Sequence, residues 1–272
     1  MIRILHKSSI KKHILPHLSK PKRGGTKHPH WEIVNAIIYK LKTGIQWYLL
    51  PVNSLIYKAK IKWGAIYHQF RKWTLDGSWE RVFNGFLCSN KRFLDLSVAQ
   101  LDGTQTIAKR GGQEVDYQGR KKAKTSNTLW LTDKQGLAVG FTPPIAGNHH
   151  DVYEAQKRID SLVEQLKKST IAVDGLFVNA DAAFDSQTFR QACLKHQIHL
   201  NTPVNVRNIH DFQYNHNYFD ELMYESRFVI ERNNAWQDAY RTLLVRQDTS
   251  IKSWTAWHYI VTIIQWCRIL KL

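Results

Sequence analysis

The stretch YESRFVIERNNAWQDAYRTLL, Tyr224–Leu244, decides how the whole chain is read. It lacks Pro and Gly and carries Phe228, Trp236, Tyr240, Leu243 and Leu244 at three- and four-residue steps, which predicts one long helix. At 3.6 residues per turn, Tyr224, Arg227, Glu231 and Asp238 share a face. That face mixes carboxylates with groups that bind phosphate. An Arg–Glu pair four residues apart is by itself an ordinary surface ion pair, worth about 0.3 kcal/mol. It points to chemistry only if acids elsewhere in the chain can meet Glu231.

Two upstream segments bring such acids. LDLSVAQLDGTQT, Leu94–Thr106, is apolar and ends in Asp102-Gly103, which reads as a strand delivering an acid at its end. TIAVDGLFVNADAAFDS, Thr170–Ser186, repeats the pattern with Asp181. Between them, strands are expected over Ser126–Thr132 and Gly136–Phe141, joined by the turn Asp133-Lys134-Gln135-Gly136. GNHHD, residues 147–151, precedes a helix expected over Val152–Lys168, with Asn148 or Asp151 as N-cap; a metal reading of His149, His150 and Asp151 competes. After Asp181 come a helix over Ser186–His196, a strand in IHLNTP and an irregular connection from Val204 to Leu222. Strand and acid, hairpin, helix, strand and acid, helix, strand, helix and acid describe a mixed α/β sheet flanked by helices, with Asp102, Asp181 and Glu231 convergent. Such hard oxygen ligands suit Mg²⁺ or Mn²⁺ rather than zinc. Two such ions would serve attack on a phosphodiester, with Asp102 bridging, Asp181 and Glu231 on one ion each, and Arg227 neutralising charge on the phosphate.

Charge divides the 272 residues unevenly. Lys and Arg outnumber Asp and Glu by 39 to 22, and residues 1–96 alone carry a net +14. That footprint suits a polyanion, and with no long uncharged run to cross a bilayer, nucleic acid is favoured over a membrane. Three scattered cysteines with no C-x-x-C spacing signal neither a disulfide framework nor a zinc site, and a reducing compartment fits. The N-terminus reads as no signal peptide.

The segmentation follows: a loose basic arm over 1–30 with one short helix, a helical domain over 31–96, and a catalytic domain over 97–272. In the second, WEIVNAIIYKLKTG is a helix capped by Gly44, IKWGAIYHQFRKWTLDG is another, and SWERVFNGFLCSN follows Ser78 as N-cap. Three short basic helices are what a helix-turn-helix reader of double-stranded DNA needs, with Lys62, Arg71 and Lys72 as candidate contacts. Arg120, Lys121, Lys122 and Lys124 lie in a Gly-rich basic loop suited to a DNA backbone. The closing segment SWTAWHYIVTIIQWCRIL is expected to cover the core, with Thr255, His258, Thr262 and Gln265 on its polar side.

Taken together, NAIIYKLKTGIQWYLLP with the FRKW helix, LDGTQT, GRKKAKTSN, GNHHD, NADAAFDS and ESRFVIERNNAW resemble, in order, the DDE-type transposases of bacterial insertion sequences. Tyr224, Arg227 and Glu231 fit that family's Tyr-x2-Arg-x3-Glu pattern; where the pattern continues with a Lys, this chain has Asp238, the nearest cations being Arg232 and Arg241. The resemblance implies an RNase-H-like catalytic domain behind a small all-α helix-turn-helix-like domain. It further implies two-metal cleavage of element ends, strand transfer into target DNA, action as a homodimer or higher oligomer on DNA, and residence in the bacterial cytoplasm at the nucleoid. A nuclease on the same fold, or a DNA-binding relic whose acids no longer act, are the alternatives.

Overall fold

The computed structural model describes residues 2–20, 28–57, 61–205 and 218–272. The chain forms two compact units: Asn90–Thr106 with Glu114–Ala235, and Met1–Ser89 with Ile107–Gln113 and Trp236–Leu272. The C-terminal segment, expected to belong with the catalytic residues, therefore groups with the N-terminal helices.

The acid-bearing unit is built on strands β1 (Ala99–Ala108), β2 (Asp116–Gln118), β3 (Ala123–Thr132), β4 (Ala138–Phe141), β5 (Ile145–Ala146), β6 (Phe177–Asn179) and β7 (His199–Asn201). Their order is β2-β3-β1-β6-β7, with β4 and β5 also pairing to β3. β1, β6 and β7 run parallel, whereas β2, β4 and β5 run antiparallel to β3. The sheet is mixed, as expected. The β3–β4 turn forms where Asp133 does the work: its carboxylate accepts the backbone N–H of Gln135 and of Leu137, and Gly136 supplies φ +83°. Leu101, Leu131, Ile159, Leu162, Val163, Leu166, Leu176 and Val178 are buried, packing one sheet face under the helix Ala155–Lys168. That helix starts three residues later than expected, with no side-chain cap; Asp151 is engaged elsewhere. The helix Gln187–Leu194 does begin at the expected Ser186, whose hydroxyl accepts the Phe189 N–H.

The stretch read as one helix is not one. A helical turn Glu221–Tyr224, a 3-10 turn Glu225–Phe228 and the helix Val229–Asp238 follow one another, and the chain then breaks before a last turn, Arg241–Leu244. Tyr240 has extended backbone at the break and a buried ring, with Lys42 4.7 Å and Arg268 5.8 Å from its centroid. Burial of one aromatic ring outweighs continuing a helix whose remaining face is polar. The apolar stripe is also misplaced by one position: Phe228 is 68% exposed, and Val229, Ile230 and Asn233 are the buried face.

The other unit is helical. Helix His30–Thr43 ends as predicted at Gly44, whose φ of +68° and N–H bond to the Lys40 carbonyl (2.9 Å) form a left-handed cap. A Cβ at Gly44 would stand 2.9 Å from that of Arg241. Helices Trp63–Leu75 and Ser78–Asn90 follow. Ser78 is the first residue of its helix rather than the cap; the Asp76 carboxylate takes its N–H at 3.0 Å. The expected loose arm is ordered over 2–20: Leu5, Ile10, Ile14 and Leu18 are buried, and the Asn35 side chain bonds the Ile2 carbonyl and the Ile4 amide. The basic stretch 21–27 and the connection over 206–217 lie outside the described residues.

The closing helix, Ile251–Ile269, has no polar side turned to water: His258, Thr262 and Gln265 are as buried as Trp254, Trp257, Ile260 and Ile264. From Trp254 to Cys267 only Thr255 and Tyr259 are half-exposed, so this part of the helix is an interior element rather than a cover. No helix among the described residues is long and apolar enough to cross a membrane. In this unit, Ile107–Ala108 pair in parallel with β8 (Val245–Arg246).

Candidate active site

The first two acids meet because of strand register. Gln100 on β1 pairs with Asn179 on β6 in parallel, so two residues further along each strand Asp102 and Asp181 stand at the same level. Asp102 lies inside β1 rather than at its end, and Asp181 follows β6, where its carboxylate accepts the Ala183 N–H at 2.8 Å and starts a 3-10 turn.

The third acid is brought in by an amide row that the sequence reading missed. Gln100, Asn179 and Asn201 sit side by side on β1, β6 and β7, all buried. Asn179 Nδ2 donates to Gln100 Oε1 (3.0 Å) and to the Met223 carbonyl (2.7 Å), and Asn201 Nδ2 donates to Asn179 Oδ1 (2.8 Å) and to the Asp220 carbonyl (2.9 Å). Gln100 also donates to the Ser226 hydroxyl at 2.9 Å. The turns over Glu221–Phe228 are thereby tied to three strands, and the helix carrying Glu231 grows from them. A signal was present: Gln100-Leu101-Asp102 and Asn179-Ala180-Asp181 each set an amide two residues before an acid, hence on the same strand face.

The Arg227 guanidinium is where the acids converge. It lies 3.4 Å from Asp102, 3.8 Å from Asp181 and 3.9 Å from Glu231. Asn234 Nδ2, also missed, donates to the other Asp102 oxygen at 3.2 Å, and Thr104 reaches Asn234 at 3.4 Å. Tyr224 belongs to the same cluster; burial, above all, raises its phenol, and the guanidinium opposes the shift. Burial likewise raises Asp102 from the ordinary 3.8 to about 6, partly offset by Arg227 and added to by Glu231 and Asp181.

A carboxyl with a raised folded-state pKa makes the folded state hold a proton that the unfolded chain has already released. Its contribution to stability is thus largest at low pH and is lost as pH rises toward about 6. We expect Asp102→Asn to stabilise the metal-free chain at pH 7 by on the order of 2 kcal/mol and to change little at pH 4. Urea midpoints at the two pH values check this; an Asn variant no more stable at pH 7 than wild type contradicts it.

The remaining candidates are dispersed. Arg232 is exposed and donates to the Gln135 carbonyl at 2.6 Å, so it braces the β3–β4 turn. Arg120, Lys121 and Lys122 are exposed on the β2–β3 turn with Lys124 exposed on β3, while Lys62, Arg71 and Lys72 are exposed along Trp63–Leu75. Arg241 lies in the helical unit, and Asp238 ends its helix on the surface. The His149 ring stacks on Tyr153 at 3.6 Å, and the Asp151 carboxylate accepts from Asn127 at 2.7 Å. Asp151 also packs so closely on Gly103 that a Cβ there would run into its carboxylate, which explains the glycine after Asp102.

As they stand, no three metal-ligating side chains among the described residues are close enough to hold an ion. The donor set nevertheless fits a hard divalent cation: three carboxylates, one on a strand, one just after a strand and one on a helix, share, among the described residues, the positive charge of Arg227.

Residues 9–83 match the family model described as "Putative transposase of IS4/5 family". No curated protein matches the chain. Among solved structures, the cryo-EM structure of the piggyBac transposase synaptic complex with hairpin DNA is similar at a TM-score of 0.51, with 10% identity over 95% of this chain and 70% of that one. A pre-cleavage Mos1 transpososome and the Mos1 strand transfer complex are matched at TM-scores of 0.30 with 12% identity, covering 92% of this chain and 82% and 81% of theirs; at that distance they carry no argument.

A mixed sheet whose central parallel strands bring two acids to one level gives the chain an RNase-H-like fold, which it shares with the piggyBac transposase structure. Over residues 9–83 the chain is similar to the IS4/5 transposase family.

Proposed function

We propose that this chain is a transposase of the insertion-sequence type, which cleaves the ends of its element and joins the freed 3′-hydroxyls to target DNA, with Asp102, Asp181 and Glu231 as the metal-holding acids. The observation that carries the reading is the convergence of these three carboxylates on Arg227 within 3.9 Å. Mg²⁺ or Mn²⁺, two ions being expected, would when bound make the attacking oxygen more nucleophilic and stabilise the leaving oxygen. Asp102 is held for this task from two sides, by Arg227 and Asn234, and is the most enclosed of the three. The fork of Arg227 would turn toward the scissile phosphate once cations satisfy the carboxylates. Asn179, Gln100 and Asn201 keep the strands and the Glu231 helix in register while this happens.

The net +14 of residues 1–96 supports binding of duplex DNA, both element ends and target, with the exposed Lys62, Arg71 and Lys72 on one helix and the Arg120–Lys124 turn as backbone contacts. Action on paired ends calls for at least a dimer on DNA, in a bacterial nucleoid. The test supplies purified protein with Mg²⁺, a pre-cut element end and a target plasmid. Joined products are expected with a 3′-hydroxyl end and none with a 3′-deoxy end. Cleavage of whole ends without any joining would instead mark a nuclease on the same fold.

A further inference from the structure

The helical unit contains a cavity of about 690 Å³ whose lining does not belong to the acid site. Its rim carries Tyr48, 59% exposed, and Trp63, 40% exposed, whereas Trp31, Trp73, Trp79, Trp254, Trp257 and Trp266 of this unit are buried. Its wall is Trp47, whose ring lies 5.2 Å from Tyr67 and 6.0 Å from the Trp257 ring. Its polar lining includes three charged side chains beside neutral ones such as Gln46 and Ser253. Lys40 is buried beside the cavity, where Nζ bonds the Thr242 hydroxyl (3.1 Å) and lies 5.2 Å from the Trp257 centroid. Asp248 lines the cavity too, one carboxylate oxygen accepting from Trp257 Nε1 at 3.1 Å, and Arg110 is exposed at the mouth.

Each feature limits the ligand. A volume of this size suits a small organic group rather than a bare ion. Exposed rings beside an inner ring wall offer flat faces for stacking. A buried ammonium and a carboxylate offer one donor and one acceptor set, which an aliphatic or purely anionic ligand would leave unmatched. A cation at the mouth, in a unit with a strong positive balance, suits a phosphate. Unpaired nucleobases meet all four requirements, presenting a π-face, a mixed donor and acceptor edge, and an attached phosphate. A base inside a duplex offers only its phosphate, because its faces and edge are already taken.

We propose that this cavity binds an unpaired nucleotide of single-stranded DNA, the base stacking on Tyr48 and Trp63, its edge toward Lys40 and Asp248, and its phosphate on Arg110. This rests on the chain being a DNA-handling protein, but not on the metal-dependent step. It gives the transposase a way to grip a strand that has been separated from its complement.

The test uses the full-length chain in EDTA, so that no cleavage interferes. Anisotropy would follow a labelled single strand of about a dozen nucleotides, the same strand with abasic positions, and the same sequence as a duplex. Tyr48→Ala combined with Trp63→Ala removes two exposed rings, and melting curves would check that the fold is kept. The double variant should bind the single strand about ten- to a hundredfold more weakly and the duplex within about twofold of wild type. The abasic strand should bind wild type weakly and lose nothing more in the variant, while Tyr48→Phe with Trp63→Phe should retain affinity. Equal single-strand binding by wild type and the Ala variant overturns the proposal. So do abasic binding as tight as normal, a parallel loss on duplex, or no single-strand binding by wild type. If strand joining by wild type persists in any of these cases, the transposase reading stands without this pocket.

Discussion

Glu231→Gln should reduce element-end cleavage by about a thousandfold or more, equivalent to roughly 4 kcal/mol of lost transition-state stabilisation. The substitution keeps the side chain's size and its place in the helix Val229–Asp238 and removes only its charge. Glu231 is an exposed member of the trio, so the fold should tolerate the change, with a melting midpoint within a degree or two of wild type. Duplex DNA binding should be unchanged, since the basic surface lies elsewhere. Cleavage by the Gln variant within tenfold of wild type would show that Glu231 is no more than half of a surface ion pair, the reading its sequence spacing alone would favour.

Arg227→Ala should be the second largest effect, and it should act in two ways. Arg227 is only 18% exposed and, among the described residues, is the one guanidinium within 4 Å of all three acids. Its removal leaves their mutual repulsion uncompensated and raises Asp102 further, since the guanidinium now opposes the effect of burial. The metal-free chain should lose about 1–2 kcal/mol at pH 7, the pair being partly solvent-screened. Less of that loss should appear at pH 5, where Asp102 is largely protonated and needs the positive charge less. Cleavage should fall by about a hundredfold. Arg227→Lys should restore the stability more than the activity, because an ammonium supplies charge without the planar fork. Equal recovery of both by Lys would show that Arg227 serves only to neutralise the carboxylates. The measurements are end cleavage at saturating Mg²⁺ and urea midpoints at the two pH values.

Much of the site was legible because its information is local or periodic. Asp102 and Asp181 each follow an apolar, strand-forming run, Gly44 and Ser186 are terminal residues with a stereochemical reason, and Asp133 to Gly136 is a turn of the expected chemistry; the amide two residues before each Asp was equally local and was overlooked. The elements that escaped are those whose existence depends on partners. β2, β5 and β8 have three, two and two residues, too short for an alternating pattern, and form because β3 or β1 offers free edge groups. The break at Tyr240 likewise reflects burial of its ring rather than any breaker in the sequence. Asp151 looked like a helix cap because position and residue type agree with one; its proximity to Gly103 depends on β1 and β3 being neighbours, which no local pattern encodes.

The closing helix misled for the opposite reason. Thr255, His258, Thr262 and Gln265 do align on one side, and the wheel assigned that side to water, yet three of the four are buried. Thr262 satisfies itself on the His258 carbonyl at 2.9 Å, and burial keeps His258 neutral by depressing its pKa to about 3. Small polar groups can bond within their own helix, so a polar stripe does not by itself locate solvent.

The most direct measurement is Mn²⁺ binding followed by electron paramagnetic resonance, comparing wild type with Asp102→Asn and Glu231→Gln in the presence of element-end DNA. If the three carboxylates form the catalytic cation site, wild type should take up Mn²⁺ at stoichiometric concentration, and each single variant should lose at least one ion or bind at least tenfold more weakly. Mn²⁺ uptake by both variants that matches wild type in amount and affinity would contradict the assignment of these acids.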